Sequence, residues 1–287
     1  MVESGSAGPI AILAGGGSLP PLLAEAAARS GRKPLVIAIA GEADPEAFPG
    51  SSVHVLRWGE IGRLFRLLPD ASCREGVLIG RIAHRPDFRA LRPDMAGVKL
   101  IPRILKIMQD GDNNLLTGVA RIFEEMGVRV VSPLDVAPDL ALPEGCVVGS
   151  VPPEAKVDIE TARGAAREIG GKDIAQGAVA VGGQVVAIED RSGTDALLER
   201  VDALRERGQI SGTGGVLVKC VKPHQDRRLD LPTIGPATAE AAARAGLAGV
   251  AAEAGLTLLA GPAETKAAFK RARLFLLGLP AFTSSHG

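Results

Sequence analysis

The chain has 287 residues, more than one domain usually holds, so we expect two domains. Its 33 basic and 33 acidic residues cancel. Without a basic surplus, nucleic acid is excluded as the main partner. Hydrophobic residues make up 46% and aromatic residues 3%. A core of Ala, Val, Leu and Ile suits helices packed on a buried sheet.

The three cysteines are far apart and match neither a disulfide framework nor a zinc site. We expect them to be small buried residues in a reducing cytosol. No apolar run reaches the roughly 20 residues of a membrane span, and the first residues lack a signal-peptide pattern. The sequence therefore predicts a cytoplasmic protein.

The first half alternates buried strands with helices. A strand at 9–14, a glycine turn, a helix at 20–31 and a strand at 33–41 predict a parallel pair with a right-handed crossover. The elements predicted next are a strand at 53–56, a helix at 59–68, a strand at 76–80, a helix within 105–127 and a strand at 128–133. Residues 1–140 are therefore predicted to form a Rossmann-like, doubly wound domain that binds a nucleotide or phosphate.

A stretch rich in Pro and Gly, residues 133–153, predicts the linker. Beyond it, two apolar runs around Gly182 and Gly183 predict a hairpin, because such turns need positive φ. The other predicted elements are a helix at 156–169, a helix after 194, a strand at 215–223, a helix from 237, short strands and a last helix near 263–273. Residues 150–287 are therefore predicted to be a distinct, mixed α/β catalytic domain.

The first candidate site is the turn LAGGGSLP, which places Gly15, Gly16, Gly17 and Ser18 between a strand and a helix start. Glycines let the backbone approach a ligand closely, and the free N–H groups of a helix start favour phosphate. Pro20 stands where GxGxxG has its third glycine, and no Lys-Ser/Thr follows as in a Walker A loop. The alternative is a merely tight turn. The usual ligand position of this architecture favours phosphate contact.

The second candidate is the loop KPHQDRRLDLPTIG, residues 222–235. Its cations and amide suit phosphate oxygens, and its carboxylates suit Mg²⁺. The residues concerned are Lys222, Gln225, Arg227 and Arg228 for phosphate, and Asp226 and Asp230 for the metal. A solvated surface loop is the alternative, but a position after an apolar strand favours function.

Further candidates are scattered through the chain. Glu189 and Asp195 are possible partners of that loop, although they equally suit a strand end and the first turn of a helix. Gln176 is either a ligand contact or a turn residue. Arg85, in the HRPDF segment after a strand, is a candidate phosphate contact, whereas Asp112 better suits a helix cap.

Taken together, the motifs LAGGGSLP, RPDF, DIAQGAV, GTDA and DLPTIG resemble the LpxI-type UDP-2,3-diacylglucosamine pyrophosphatases of lipid A biosynthesis. The resemblance covers nearly the whole chain. It implies a Rossmann-like domain joined to an α/β domain, with the substrate between them. It also implies Mg²⁺-dependent hydrolysis of the UDP-linked diacylated glucosamine lipid to UMP and 2,3-diacylglucosamine 1-phosphate (lipid X).

The family's essential aspartate matches Asp230. That role is carried over to Asp230 alone; on the positions of the residues themselves, we expect Asp230 at the metal together with Glu189 and Asp195. We expect the pyrophosphate or uridine to be contacted by Gly15, Gly16, Gly17, Ser18, Arg85, Gln176, Lys222, Gln225, Arg228 and Thr233. The segments HRPDF and HQDRR depart from the shared pattern, so roles for His84, His224 and Asp226 are not inherited.

Two alternatives stay open at this point. One is an NAD(P)-dependent oxidoreductase, weakened by Pro20 and by the loop position of Glu42 and Asp44 after the second strand. The other is a non-catalytic module that binds a nucleotide or lipid. A lipid substrate also suggests transient contact with the inner membrane, through segments such as 63–68 or 269–280, although buried elements are the default there. A homodimer is expected only as a common default.

Overall fold

The computed structural model describes residues 8–83, 112–190, 192–223 and 225–281. The chain divides into two compact units, residues 1–138 and 139–287.

The N-terminal unit is built on a five-stranded parallel sheet in the order β3-β2-β1-β4-β5. The order 3-2-1-4-5 is that of the first five strands of a doubly wound Rossmann sheet, so the predicted fold class is confirmed. The strands are β1 (Ile10–Ala14), β2 (Pro34–Ile39), β3 (Ser52–Leu56), β4 (Glu75–Ile79) and β5 (Arg129–Val130). The helices are α1 (Leu19–Arg29), α2 (Ile61–Asp70), α3 (Asp112–Glu125) and α4 (Pro133–Val136), with a short 3₁₀ turn at Pro45–Ala47.

The core of this unit follows from the apolar runs. β2 is buried along its whole length, and α1 turns Leu23, Ala24 and Ala27 onto the sheet. Pro20 lies in the first turn of α1, where a missing N–H costs nothing. The predicted helix over 105–127 is seen only from Asp112, since 105–111 lie outside the described residues.

The C-terminal unit has a six-stranded mixed sheet in the order β6-β13-β11-β9-β7-β8, in which β9, β11 and β13 run parallel. Its strands are β6 (Gly145–Val148), β7 (Gly177–Val181), β8 (Gln184–Ile188), β9 (Val216–Lys219), β11 (Gly249–Glu253) and β13 (Phe275–Leu279). A separate parallel pair joins β10 (Thr233–Ile234) to β12 (Leu258–Leu259). The helices are α5 (Ala155–Gly171), α6 (Gly193–Glu206), α7 (Pro236–Arg244) and α8 (Pro262–Arg271), with a 3₁₀ turn at Pro138–Leu140.

Helices cover both faces of the mixed sheet. The buried face of α5, including Ile159 and Ala162, packs on one side against Val216 and Val218. Side chains of α6, α7 and α8 form a second core on the other side, around Leu217 and Phe269. The sheet is therefore buried on both faces, and its edges are left to carry polar groups.

The predicted hairpin between β7 and β8 is confirmed. Gly182 and Gly183 have φ of 59° and 77°, as the turn chemistry requires. The N–H of Gly183 donates to Oδ1 of the buried Asp158 at 2.6 Å. This carboxylate, which the sequence did not single out, ties the hairpin turn to α5.

Three expectations differ from the structure. Part of the predicted linker forms β6, an edge strand antiparallel to β13. The chain continues after the last predicted helix into β13, a largely buried strand of the sheet. Cys146 is exposed on β6, so the expectation that all three cysteines are buried was wrong. Burial raises the pKa of Cys73 to about 11 and that of Cys220 to about 12.

The segments proposed for membrane contact are mostly occupied in packing. Leu64 and Leu68 of α2 are buried, and only Phe65 of the large apolar side chains in segment 63–68 is exposed. Phe269 and most of β13 are buried as well. Among the helices that the structure describes, none has the length and apolar character needed to cross a bilayer.

Candidate active site in the C-terminal unit

Polar side chains gather at one edge of the mixed sheet. Because β7 runs antiparallel to β8 and β9, its first residues lie beside the last residues of both neighbours. This places Gln176, Glu189 and Lys219 together, at the carboxyl end of the parallel strands. In open α/β sheets that edge is where ligands bind.

Glu189 follows β8 and is only 6% exposed. Its Oε1 accepts a hydrogen bond from the hydroxyl of Thr194 at 2.7 Å, and its Oε2 accepts one from the backbone N–H of Gln176 at 3.2 Å. Both carboxylate oxygens are therefore engaged by the protein. The sequence singled out Glu189 and Gln176 but not Thr194, which lies in the first turn of α6 beside Asp195.

Lys219 is the last residue of β9 and is 5% exposed. Its Nζ donates to Thr194 Oγ1 at 2.8 Å and to the carbonyl oxygen of Thr233 at 3.4 Å. Burial lowers the pKa of Lys219, while the charges of Glu189, Asp230 and Asp195 oppose that shift. Lys219 was not among the predicted site residues. The available signal was a lysine inside the apolar run LVKCV, where a charge has to be compensated.

Asp230 lies in the loop between β9 and β10, close to the same sheet edge. Its pKa is raised, chiefly because burial disfavours the ionised form, and the charge of Glu189 adds to that shift. Lys222, the amide of Gln225 and Lys219 oppose it. The structure thus brings the predicted catalytic aspartate close to two other predicted site residues, Lys222 and Gln225.

Lys222 is nearly buried, and its Nζ pairs with Asp173 Oδ1 at 2.8 Å. The backbone N–H of Lys222 donates to Gln225 Oε1 at 3.1 Å, and this bond fixes the start of the loop. Asp173 follows α5 with a positive φ of 56°, a conformation uncommon for a residue with a side chain. No local pattern selects Asp173, since its pairing with Lys222 depends on where α5 ends relative to β9.

Arg228 is held by its neighbour Asp226. The guanidinium Nη2 donates to Asp226 Oδ2 at 2.7 Å, and Nε lies 3.0 Å from Oδ1. This pair lowers the pKa of Asp226 through the hydrogen bond from Arg228. A phosphate contact by Arg228, which stays a prediction, would replace Asp226 as its partner.

Two amide groups at the site are buried and incompletely hydrogen-bonded within the described residues. Oε1 of Gln176 has no partner, and Nε2 of Gln225 faces only Asp230, in a contact looser than an ordinary hydrogen bond. Since buried polar atoms are nearly always paired, Gln176 Oε1 and the second N–H of Gln225 are open positions for a ligand group or a water. Both residues were predicted to contact substrate. Thr233, also predicted, uses its hydroxyl on the Leu231 carbonyl at 3.4 Å.

The site offers oxygen donors to a metal, but in a sparse arrangement. Within the described ranges, no group of three or more His, Cys, Asp or Glu side chains is arranged to hold a metal ion. Mg²⁺ nevertheless binds through one or two carboxylates with water and substrate phosphates. Asp230 fits that requirement best, because a cation would favour the ionised form that burial disfavours. Glu189 is already engaged, and Asp195 is exposed in the first turn of α6.

The glycine turn of the N-terminal unit has a clear packing role. The N–H groups of Gly15 and Gly16 donate to the carbonyl oxygens of Ile79 and Arg81, at 2.9 and 2.8 Å. A Cβ on Gly15 would lie 2.7 Å from the Arg81 oxygen. These two glycines therefore let the end of β1 pack against the end of β4, and their N–H groups are not open to phosphate.

Gly17 and Ser18 differ from the glycines before them. Both are exposed, Gly17 has a φ of 100°, and Ser18 precedes α1 without a side-chain capping bond. They lie at the start of α1, beside the point between β1 and β4 where the strand order reverses. Within the predicted glycine site, these two positions remain available to a phosphate.

Some predictions concern other parts of the N-terminal unit. Arg85 and the RPDF segment lie outside the described residues. Glu42 Oε2 accepts a hydrogen bond from Ala83 N–H at 2.8 Å, and Asp44 Oδ1 accepts one from Glu46 N–H at 3.0 Å. Neither acid is poised for a ribose, which further weakens the dinucleotide alternative.

Comparison with known proteins connects both units to one family. Residues 9–140 match the family model of the LpxI N-terminal domain, and residues 143–277 match that of the LpxI C-terminal domain. The chain belongs to the LpxI family. It is 41% identical over 275 residues to the UDP-2,3-diacylglucosamine pyrophosphatase LpxI of Caulobacter vibrioides, covering 94% of this chain and 97% of that protein. The resemblance seen in the motifs is thereby confirmed.

The two LpxI domain matches include both candidate regions of the chain. The C-terminal match includes every site residue described in that unit, from Gln176 to Thr233. The N-terminal match includes the glycine turn. Each unit therefore matches an LpxI domain, and the functional role of residues 222–235 stays a prediction.

Proposed function

We propose that this protein hydrolyses the pyrophosphate of UDP-2,3-diacylglucosamine, giving UMP and 2,3-diacylglucosamine 1-phosphate, in lipid A biosynthesis. The observation that carries the proposal is the 41% identity, over nearly all of both chains, to an LpxI of that activity. The geometry is compatible with it. The partly buried Asp230, the buried Lys222 and the amides of Gln176 and Gln225 lie at the edge of the sheet where ligands bind.

In this proposal the residues of the 222–235 loop position the pyrophosphate. Lys222 and Arg228 contact phosphate oxygens, which suits the charge of both groups. The Nε2 group of Gln225 has two N–H donors: one faces Asp230, and the other donates to a phosphate oxygen. Asp230 accepts a proton from the attacking water or binds the metal; the chemistry needs one of these roles.

Mg²⁺ is part of the proposal as the cofactor. Asp230 would hold it, with Glu189 and Asp195 near enough to add negative charge. When bound, the ion would offset the charge that develops on the phosphate oxygens. Water attacks the sugar-side phosphorus, so that UMP leaves.

We further propose that the protein works in the cytoplasm and meets its lipid at the inner-membrane surface, as a homodimer or as a monomer. The acyl chains of the substrate are the reason for the membrane contact. Cosedimentation with vesicles and sedimentation velocity test these two points separately.

The decisive experiment measures release of UMP from UDP-2,3-diacylglucosamine. The wild-type protein should turn over with Mg²⁺ and stop with a chelator. Asp230→Asn should lower kcat by at least about 100-fold, as loss of a general base or metal ligand does. Asp70→Asn, on the exposed end of α2, is the matched control and should keep wild-type activity.

Hydrolysis in ¹⁸O-labelled water locates the attack. Label in the lipid 1-phosphate supports attack on the sugar-side phosphorus, and label in UMP contradicts it. A wild-type protein that releases no UMP under any metal condition would refute the proposed activity itself.

A further inference from the structure

Lys219 is a buried cation that the proposed chemistry leaves unused. It stands at the end of a central strand, with its side chain inside the unit rather than at the surface. Burying an ammonium costs several kcal/mol, on the order of what a whole small domain gains in net stability. A lysine at such a place needs a reason beyond packing, since Met or Leu would fill the same space.

The hydrogen bonds of Lys219 form a chain across four elements. Nζ donates to Thr194 at the start of α6, and Thr194 donates in turn to Glu189 after β8. Glu189 then accepts from the N–H of Gln176, just before β7. A single side chain on β9 thus fixes the orientation of a carboxylate two strands away.

The second bond of Lys219 reaches the loop that carries Asp230. Its acceptor is the carbonyl oxygen of Thr233, three residues after Asp230 and the first residue of β10. The lysine therefore links the two acidic groups of the site, one through Thr194 and one through the backbone of the loop. An ammonium has three N–H donors, and the described residues accept from two of them.

The charges around Lys219 are arranged for this role. It makes no ion pair among the described residues, and its direct partners are neutral oxygens. Glu189, Asp230 and Asp195 nevertheless act on it electrostatically. The ammonium is thus shared between carboxylates rather than paired to one, which leaves their oxygens to other partners.

We propose that Lys219 is a positioning residue of the hydrolytic site: through Thr194 and Thr233 it sets Glu189 and the Asp230 loop in place for reaction. This inference rests on the proposed function. A positioning residue acts on the rate of the chemical step more than on substrate binding. A purely structural lysine would change stability, and a simple phosphate contact would change KM.

The test compares Lys219→Met with Lys219→Arg in the hydrolysis assay. The Met variant should lose about 100-fold in kcat, the scale of a misplaced catalytic group, with KM changed less than about 3-fold. The Arg variant keeps the charge and donors and should recover at least 10-fold of that loss. Lys266→Met, on the exposed face of α8, is the matched control and should behave as wild type.

A second pair of variants covers the case in which Lys219→Met fails to fold. Thr194→Val keeps the shape of the side chain and removes the hydroxyl that links Lys219 to Glu189, so kcat should fall. Thr194→Ser restores the hydroxyl and should recover most of the loss. Circular dichroism and melting temperature establish that each variant is folded.

The outcomes separate this inference from the proposed function. Unchanged kcat in both Lys219→Met and Thr194→Val, a loss confined to KM, or an Arg variant no better than Met each overturns the inference while wild-type turnover stands. If wild type shows no turnover, the proposed function fails, and amide hydrogen exchange decides the inference. Lys219→Met must then speed exchange in residues 225–235, and unchanged exchange overturns it.

Discussion

Gly15 and Gly17 belong to the same glycine turn but should respond differently to substitution by alanine. Gly15→Ala places a Cβ 2.7 Å from the carbonyl oxygen of Arg81 and 3.0 Å from the carbonyl carbon of Gly80. Both are backbone atoms and cannot rotate away, so β1 and β4 have to separate. Overpacking of this kind costs about 1–3 kcal/mol.

Gly17→Ala meets no atom within 4 Å, so its cost comes from the backbone alone. A φ of 100° disfavours an L-residue by about 1–2 kcal/mol. Loss of flexibility in the unfolded chain returns about 0.4–1 kcal/mol to both Gly→Ala variants and so cancels in their comparison. What remains is the backbone cost at Gly17 against the overpacking cost at Gly15, and the clash with fixed backbone atoms makes the second the larger.

Urea unfolding followed by tryptophan fluorescence measures both values. Trp58 is the one tryptophan of the sequence and lies in the N-terminal unit, so it reports on the domain that contains both glycines. Gly15→Ala should lower the free energy of unfolding by more than Gly17→Ala, because its Cβ clashes with backbone atoms that cannot rotate away. Equal losses, or the reverse order, would refute the packing role assigned to Gly15.

Three more predictions follow from single contacts. Ser18→Ala should cost less than about 0.5 kcal/mol by the same urea assay, below the usual loss of about 1 kcal/mol at a helix N-cap, because Ser18 makes no capping bond; a full loss would contradict this. Asp158→Ala should destabilise the C-terminal unit by about 1–3 kcal/mol by stranding the Gly183 N–H, and Asp158→Asn, which keeps an acceptor, by less, as measured by calorimetry. Burial raises the folded-state pKa of Asp230. Above that pKa the ionised carboxylate destabilises the folded protein, and this penalty disappears once the pH falls below the pKa of the unfolded state. Asp230→Asn should therefore raise the melting temperature at pH 8 without metal, and the gain should vanish in acid; a lower melting temperature at pH 8 would oppose this.

Much of the fold could be predicted because its signals are local. Buried parallel strands such as β2 are continuous apolar runs, and the Gly182–Gly183 pair predicts a hairpin turn because glycine readily adopts positive φ. β6 was missed because an edge strand of four residues exists only by pairing with β13, at the far end of the chain. No local pattern encodes such a partner.

The site was predictable in its parts but not in its connections. Residues of the loop 222–235 stand out by charge, and the resemblance selected Asp230 among them. Lys219 and Thr194 did not stand out, since a lysine in a strand is usually solvated. Only the packing of α6 beside the ends of β8 and β9 decides that. Likewise, which glycine N–H groups are taken depends on the end of β4.

The ion pairs of the site fall into two groups that suit binding followed by reaction. Lys222 and Arg228 are held by Asp173 and Asp226, whose side chains are 57% and 33% exposed. The partly exposed Arg228–Asp226 pair is worth about 1 kcal/mol or less. Lys222 itself is buried, but the carboxylate of Asp173 can move into water when a phosphate oxygen takes its place.

The inner group cannot be exchanged so easily. Glu189 is 6% exposed, and its link to Lys219 runs through a hydroxyl with no solvent-side substitute. Removing either end leaves a buried charge without compensation, which costs more than any surface pair. The carboxylates of Asp173 and Asp226 can therefore be replaced when substrate arrives, while the inner chain keeps its geometry. Substrate binding and alignment of the reacting groups thus depend on different residues, which is why KM and kcat should separate in the variants of each group.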